Sequence, residues 1–251
     1  MRIGATFADI NLLTSGNLVY YSDDRGVTFA NPVAVGTPAA SPTGFDTQRT
    51  GLVTLGGAEN RVRIATTAGG SYSDYTTYPT DAIPTAIFIP RYKLADSSNN
   101  GAGEAAPDYI TGSEVGDTAA GHSLWKVTSG GGSVTQIDAT SGAIGLAVGP
   151  NCLHIPWYPN AYQDILAILS FSGTRKLARS LDGGATWAFS GALASSAAFI
   201  TTRRSDAYRR QAFIANGAAL GYVSNYQASP PVVLSRAVPT TDTILGIDIL
   251  P

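Results

Sequence analysis

One pattern occurs twice in this chain and constrains its folding more than any other feature. Ser22-Asp23-Asp24-Arg25-Gly26-Val27-Thr28-Phe29 and Ser180-Leu181-Asp182-Gly183-Gly184-Ala185-Thr186-Trp187 both read S-x-D-x-G-x-T-[FW]. The chemistry of that spacing is a tight hairpin. The Asp carboxylate can accept hydrogen bonds from turn amides, and the Gly can take a positive φ. The closing aromatic is then expected to return the chain to the core between sheets. A repeated turn of this kind fixes a repeated strand–turn–strand unit, so the chain is read first as an internal repeat.

Three weaker copies share the turn residues but lack the Asp. Thr66-Thr67-Ala68-Gly69-Gly70-Ser71-Tyr72 follows the alternating run Arg61-Val62-Arg63-Ile64. Val127-Thr128-Ser129-Gly130-Gly131-Gly132-Ser133-Val134 follows Ser123-Leu124-Trp125-Lys126, and Ser224-Asn225-Tyr226 follows Leu220-Gly221-Tyr222. First positions at 22, 66, 127, 180 and 224 give intervals of 44, 61, 53 and 44 residues. Five units of four strands, at roughly 40 to 45 residues each plus loops, account for all 251 residues and leave no length for a second domain.

The two full copies resemble the Asp-box, or BNR repeat, of sialidase-like and related β-propellers. The resemblance implies an all-β chain: a single propeller over 1–251 with five four-stranded blades. It also implies that the boxes sit on the rim, between the third and fourth strands of a blade and away from the binding face. Ser22, Asp24, Gly26, Thr28 and Phe29, with Ser180, Asp182, Gly184, Thr186 and Trp187, then have a structural role and no catalytic one. Before the first box there is room for about one strand beyond Asn17–Tyr21, and the run 242–250 alternates with Ile244, Gly246, Asp248 and Leu250 on one face. The C-terminal strand is therefore expected to complete the N-terminal blade and close the ring.

Composition agrees with an all-β reading. There are three glutamates (Glu59, Glu104, Glu114) against fifteen aspartates, and three lysines (Lys93, Lys126, Lys176) against thirteen arginines. Glu and Lys favour surface helices, whereas Asp and the 28 glycines favour turns. The formal net charge of -2 gives no basic excess, so nucleic acid is not an expected partner. No run is long and apolar enough for a membrane span, and Met1-Arg2-Ile3-Gly4 does not open a signal peptide. The lone Cys152 forms no internal disulfide and, with His154, fits no zinc spacing, so it is read as a small buried apolar residue. No cofactor and no metal are expected.

Binding chemistry is sought where the chain departs from the repeat. The longest interval holds an insertion at about 93–121, read as a polar surface loop. Within it, Asp96-Ser97-Ser98-Asn99-Asn100-Gly101 opens like a calcium loop, but Pro107 stands where the bidentate carboxylate should be. The Pro-bounded segment His154–Tyr162 presents Trp157, Tyr158 and Tyr162, flat faces suited to stacking on a sugar or anchoring a protein. Packing against a neighbouring blade is the alternative. A polar run, Thr201–Arg210, carries Arg203, Arg204 and Asp206, and Arg91 with Tyr92 occupies a comparable place in an earlier repeat. Arginines converging there could hold a carboxylate bidentately; solvated hairpin charges are the alternative.

Catalysis is unsupported. Sialidases resemble larger, six-bladed rings with an N-terminal Phe/Tyr-Arg-Ile-Pro motif, and Phe88-Ile89-Pro90-Arg91 has a different order and place. No Arg triad or Tyr-Glu pair can be assigned, and no carboxylate pair stands out as a glycosidase needs. The expected function is a noncatalytic structural or adhesive module of a larger assembly such as a phage virion. Its partners would be other structural subunits and, as a candidate ligand, a host surface glycan. The expected location is the virion or the cell exterior. A small five-bladed glycoside hydrolase and a protein-interaction scaffold are the alternatives, since propellers host all three.

Overall fold

The computed structural model describes residues 2–3, 10–13, 17–36, 42–47, 51–55, 61–65, 69–77, 84–88, 109–113, 124–128, 133–137, 145–146, 152–154, 164–171, 174–202, 210–239, 242–244 and 247. Among these there is no helix, and the chain is all-β. It divides into two compact units, residues 1–111 with 126–134 and residues 112–125 with 135–251.

The strands form five sheets, each built from consecutive stretches of chain. In the first, β1 (Arg2–Ile3), β2 (Ile10–Leu13), β3 (Leu18–Ser22) and β4 (Val33–Ala34) lie in that order. The second holds β5 (Pro42–Thr47), β6 (Gly51–Leu55), β7 (Arg61–Ala65) and β8 (Ser73–Thr77) in order. The third holds β9 (Pro84–Phe88), β10 (Tyr109–Ser113), β11 (Leu124–Thr128) and β12 (Ser133–Gln136), with residues from both units.

In the fourth sheet, β13 (Gly145–Leu146) and β14 (Leu153–His154) share one edge of β15 (Ile165–Phe171), followed by β16 (Thr174–Ser180) and β17 (Ala188–Leu193). The fifth is β18 (Phe199–Thr202), β19 (Ala212–Asn216), β20 (Ala219–Val223) and β21 (Leu234–Ala237). Each of the five repeat turns, starting at 22, 66, 127, 180 and 224, lies where the third strand of a sheet hands over to the fourth. The internal repeat of the sequence is thus the repeat of sheets. Within the first unit β1 runs beside β5, and within the second β14, which shares its sheet's edge with β13, runs beside β18.

Burial follows the side-chain pattern. β3 and β7 each bury their second and fifth residues, Val19 with Ser22 and Val62 with Ala65, and since positions three apart lie on opposite faces, both faces of these strands are partly covered. β15 is different: Ile165-Leu166-Ala167-Ile168-Leu169 is a continuous apolar run, buried on both faces. That pattern belongs to a strand covered from both sides. On β18 and β19 one face is sealed, with Ile200, Thr202, Ala212 and Ile214 buried. Each large apolar side chain so buried contributes about 1.5–3 kcal/mol.

Three expectations are corrected. The first sheet needs no borrowed strand, because β1 and β2 both precede β3; Ile10-Asn11-Leu12-Leu13 pairs with Val19–Ser22, and Arg2–Ile3 pairs with Ile10–Asn11. Such short strands carry too few residues to show a periodic signal. Of the run 242–250, residues 242–244 and 247 are described and none is in a strand; the Ile244 amide donates to the Gly217 carbonyl at 2.9 Å. The rest of that run lies outside the described residues. Finally, the stretch 93–121 is not loop throughout, because Tyr109–Ser113 within it forms β10. Its Tyr-Ile-Thr core has the β-branched and aromatic character that suits a pleated sheet. The calcium-like segment 96–101 lies outside the described residues.

Candidate functional site

The two full turns are built alike, atom for atom. In the first, the Ser22 hydroxyl donates to Asp24 Oδ1 at 2.7 Å and accepts the Gly26 amide at 2.8 Å. Asp24 in turn accepts the Thr28 amide at 2.9 Å and the Thr28 hydroxyl at 2.6 Å. In the second, Ser180 donates to Asp182 at 2.7 Å and accepts the Gly184 amide at 2.8 Å; Asp182 accepts the Thr186 amide at 2.9 Å and hydroxyl at 2.5 Å. The backbone turns through two left-handed residues in each, Arg25 and Gly26 at φ 65 and 83°, Gly183 and Gly184 at φ 70 and 96°. These networks stabilise the ionised carboxylates. The Thr28 hydroxyl and amide, then the Ser22 hydroxyl, hold Asp24 down to about 2. At Asp182 burial pushes the pKa up, but the bonds from Thr186, Ser180 and the Ala185 amide outweigh it and the net direction is down.

The aromatic position separates the two turns. Trp187 is half-buried, and its indole N–H donates to the Ile137 carbonyl at 2.8 Å and to the Gly184 carbonyl at 3.1 Å. The Ile137 side chain lies over Gly184, so close that a Cβ there would stand 2.6 Å from the Ile137 Cβ. Phe29, expected in the core, is 40% exposed. Phenylalanine has no N–H to anchor, so nothing equivalent to the indole bond holds it down. Among the weaker copies, Tyr72 is pushed up to about 12 by burial, and Tyr226 is fully buried.

The candidate binding residues Trp157, Tyr158, Tyr162, Arg91, Tyr92, Arg203, Arg204 and Asp206 lie outside the described residues. The strands that carry their segments are described. In chain order Arg91 and Tyr92 follow β9, Trp157 to Tyr162 follow β14, and Arg203 to Asp206 follow β18; β9 and β18 are the first strands of their sheets, and β14 shares its sheet's edge with β13. Two of these strands are tied together at the last residue before the segment: His154 Nε2 and Thr202 Oγ1 are hydrogen-bonded at 2.8 Å.

Where the chain returns, buried Asp164 accepts the Tyr226 hydroxyl at 3.2 Å and the Gln227 side-chain amide at 3.0 Å. Buried Arg179 donates to the Gln227 and Ala228 carbonyls at 3.0 and 2.6 Å. Cys152 is buried and its thiol donates to the Ala198 carbonyl at 3.0 Å. Sequence reasoning singled out neither Asp164 nor Arg179 nor Ile137 as partners of a turn. A carboxylate directly before the apolar run of β15 was the available signal for Asp164; Arg179, on a strand that also carries Arg175 and Lys176, and Ile137 offered none.

Other carboxylates are also committed. Asp74 pairs with Arg63 at 2.8 Å and with Arg61. Among the described residues no group of three or more His, Cys, Asp or Glu could hold a metal ion.

No family model matches the sequence, and no curated protein does either. Solved structures do match in shape. The GH74 xyloglucanase from Xanthomonas campestris superposes with a TM-score of 0.61 at 18% identity, over 91% of this chain and 37% of that one. YCF48 from Cyanidioschyzon merolae gives 0.59 at 15% identity, over 92% and 68%. Hydrazine synthase of Kuenenia stuttgartiensis gives 0.60 at 10%, over 88% and 63%. All are β-propeller proteins. The fold is of the β-propeller kind. The chain spans little more than a third of the length of the xyloglucanase, and at these identities the likeness concerns fold, not activity.

Proposed function

We propose that the chain is one propeller domain whose five sheets are five blades, the two S-x-D-x-G-x-T-[FW] turns being rim Asp-boxes. Its function on this reading is structural and adhesive: a component of a larger extracellular assembly such as a phage virion, contacting neighbouring subunits and a surface glycan. The observation that carries the reading is where aromatic and guanidinium groups recur along the chain: their segments come after β9, β14 and β18, edge strands of three successive sheets. Such groups bind carbohydrate and protein surfaces without bond cleavage. The commitment of Asp24, Asp74, Asp164 and Asp182 to hydrogen bonds and ion pairs also favours a binding role.

The test is fractionation of the native source. The chain should band with purified particles, bind a surface glycan on an array, lose that binding with Trp157→Ala at unchanged unfolding midpoint, and release no sugar from glycosides. A chain found only free of particles, or one that hydrolyses glycosides, would overturn the reading.

A further inference from the structure

The fifth turn departs from the two full ones at the position that carries their chemistry. Aligned on Ser22, Ser180 and Ser224, the place filled by Asp24 and Asp182 is filled by Tyr226. In the full turns the carboxylate closes the loop on its own Ser and Thr, none more than four positions away. Tyr226 brings no carboxylate. The fifth turn is shaped by Asn225 instead, whose side chain accepts the Gln227 amide at 3.0 Å and whose carbonyl accepts the Ala228 amide at 3.2 Å. Tyr226, fully buried, bonds outside its own turn.

It reaches two places at once. Its hydroxyl donates to Asp164, the residue at which the described chain resumes after 155–163. Its backbone amide donates to the Arg210 carbonyl at 2.9 Å, where the described chain resumes after 203–209. Arg210 has a φ of 48°, a left-handed value that a residue with a Cβ keeps only where its surroundings hold it. The neighbours of Tyr226 strengthen the joint: the Gln227 side chain donates to Asp164, and Arg179 donates to the Gln227 and Ala228 carbonyls. The buried carboxylate and the buried guanidinium of the fourth sheet thus both find hydrogen-bond partners on the fifth turn, as buried charges require.

The departing ends of the same two segments are joined as well. His154 bonds Thr202, and the Cys152 thiol donates to the Ala198 carbonyl at the opposite ends of β14 and β18. All of these residues belong to the second unit.

We propose that Tyr226 makes the fifth turn a coupling joint between the segments 155–163 and 203–209, so that releasing the return end of one releases the return end of the other. Tyr226 is a positioning residue in this arrangement. That the aromatic groups of 155–163 and the arginines of 203–209 then meet a ligand as one unit rests on the adhesive reading. The coupling does not rest on it: it is read with no ligand present, and it stands whether or not the chain bands with particles or binds glycan.

Hydrogen exchange of the full chain tests the joint by cutting it on one side and reading the other. Tyr226→Phe keeps the buried ring and removes only the hydroxyl on Asp164, while Asp164→Ala removes the acceptor of both Tyr226 and Gln227. In each variant the amides of 210–212 and of residue 226 should exchange roughly 2- to 10-fold faster, the range that one net hydrogen bond allows. Trypsin should cut after Arg203, Arg204 and Arg209 faster by a similar factor, and the amides of 182–187 should keep the parent rate. Gln227→Ala, which removes the second bond to Asp164 from a half-buried site, replaces Asp164→Ala if that variant fails to fold. A merely structural Asp164 loosens only its own strand. Faster exchange confined to 164–168 would therefore overturn the proposal, and so would unchanged exchange at 210–212 or an acceleration in Tyr226→Phe that takes in 182–187 equally.

Discussion

The two S-x-D-x-G-x-T-[FW] turns offer a controlled comparison inside one molecule. Their Ser, Asp, Gly and Thr hydrogen bonds agree to within 0.1 Å in every matched pair. Their surroundings do not agree. Gly184 is buried under Ile137 and Trp187 is pinned by its indole, whereas Gly26 is only half-buried and Phe29 is 40% exposed. The motif therefore builds its own backbone from residues at most four positions apart, and its neighbour decides whether the finished turn is also a packing joint. Stability should divide along the same line, with the local network giving similar contributions at both turns and the packing contribution confined to the second.

The largest contrast is expected at the glycines. Gly184→Ala adds left-handed strain and forces a Cβ into Ile137, and should cost about 3 kcal/mol in urea unfolding. Gly26→Ala carries the same left-handed strain and should cost about 1–2 kcal/mol. Equal losses would show that Ile137 does not pack on the second turn.

A smaller difference lies in the indole. Trp187→Phe removes the donor to Ile137 and should cost about 1 kcal/mol, leaving the second turn held as loosely as the first. A loss below the error of the measurement would mean the indole bond contributes nothing net.

Acid should weaken both turns. A carboxyl whose folded pKa lies below its unfolded value stabilises the fold above that unfolded value, and the contribution is lost as pH falls through the folded pKa. For Asp24 the window runs from its ordinary 3.8 down to about 2. The urea midpoint should fall across this range, and Asp24→Asn, already lacking the carboxylate, should show a shallower fall. An unchanged slope would break the assignment.

The smallest effect is at Arg25, whose φ of 65° is the left-handed value that Gly183 adopts freely at the matching position. Arg25→Gly should raise stability by about 0.5 kcal/mol, relief of strain being partly offset by the greater freedom of the unfolded glycine. A destabilised variant would show that the arginine side chain makes a contact worth more than the strain.

Much of this fold was legible before any coordinates. The five turn positions at 22, 66, 127, 180 and 224 each fall between a third and a fourth strand, because glycine and short polar side chains mark turns by chemistry that does not depend on distant residues. The apolar run 165–169 was visible as a strand for the same local reason. β1, β2 and β10 were not, being short and held by partners far along the chain. The candidate binding segments were legible only as types of side chain. That His154 and Thr202 join the strands leading into two of them is a matter of sheet placement, which no spacing in the sequence encodes.

The sequence by itself determined the repeat, the turn geometry and the all-β class, since each follows from hydrogen bonds that close within a few residues. The tertiary structure decided which of two identical turns becomes a buried joint and which stays open. Trp187 finds its acceptor 50 residues away at Ile137, and a contact over that span depends on how the sheets are placed and not on the motif that ends in it.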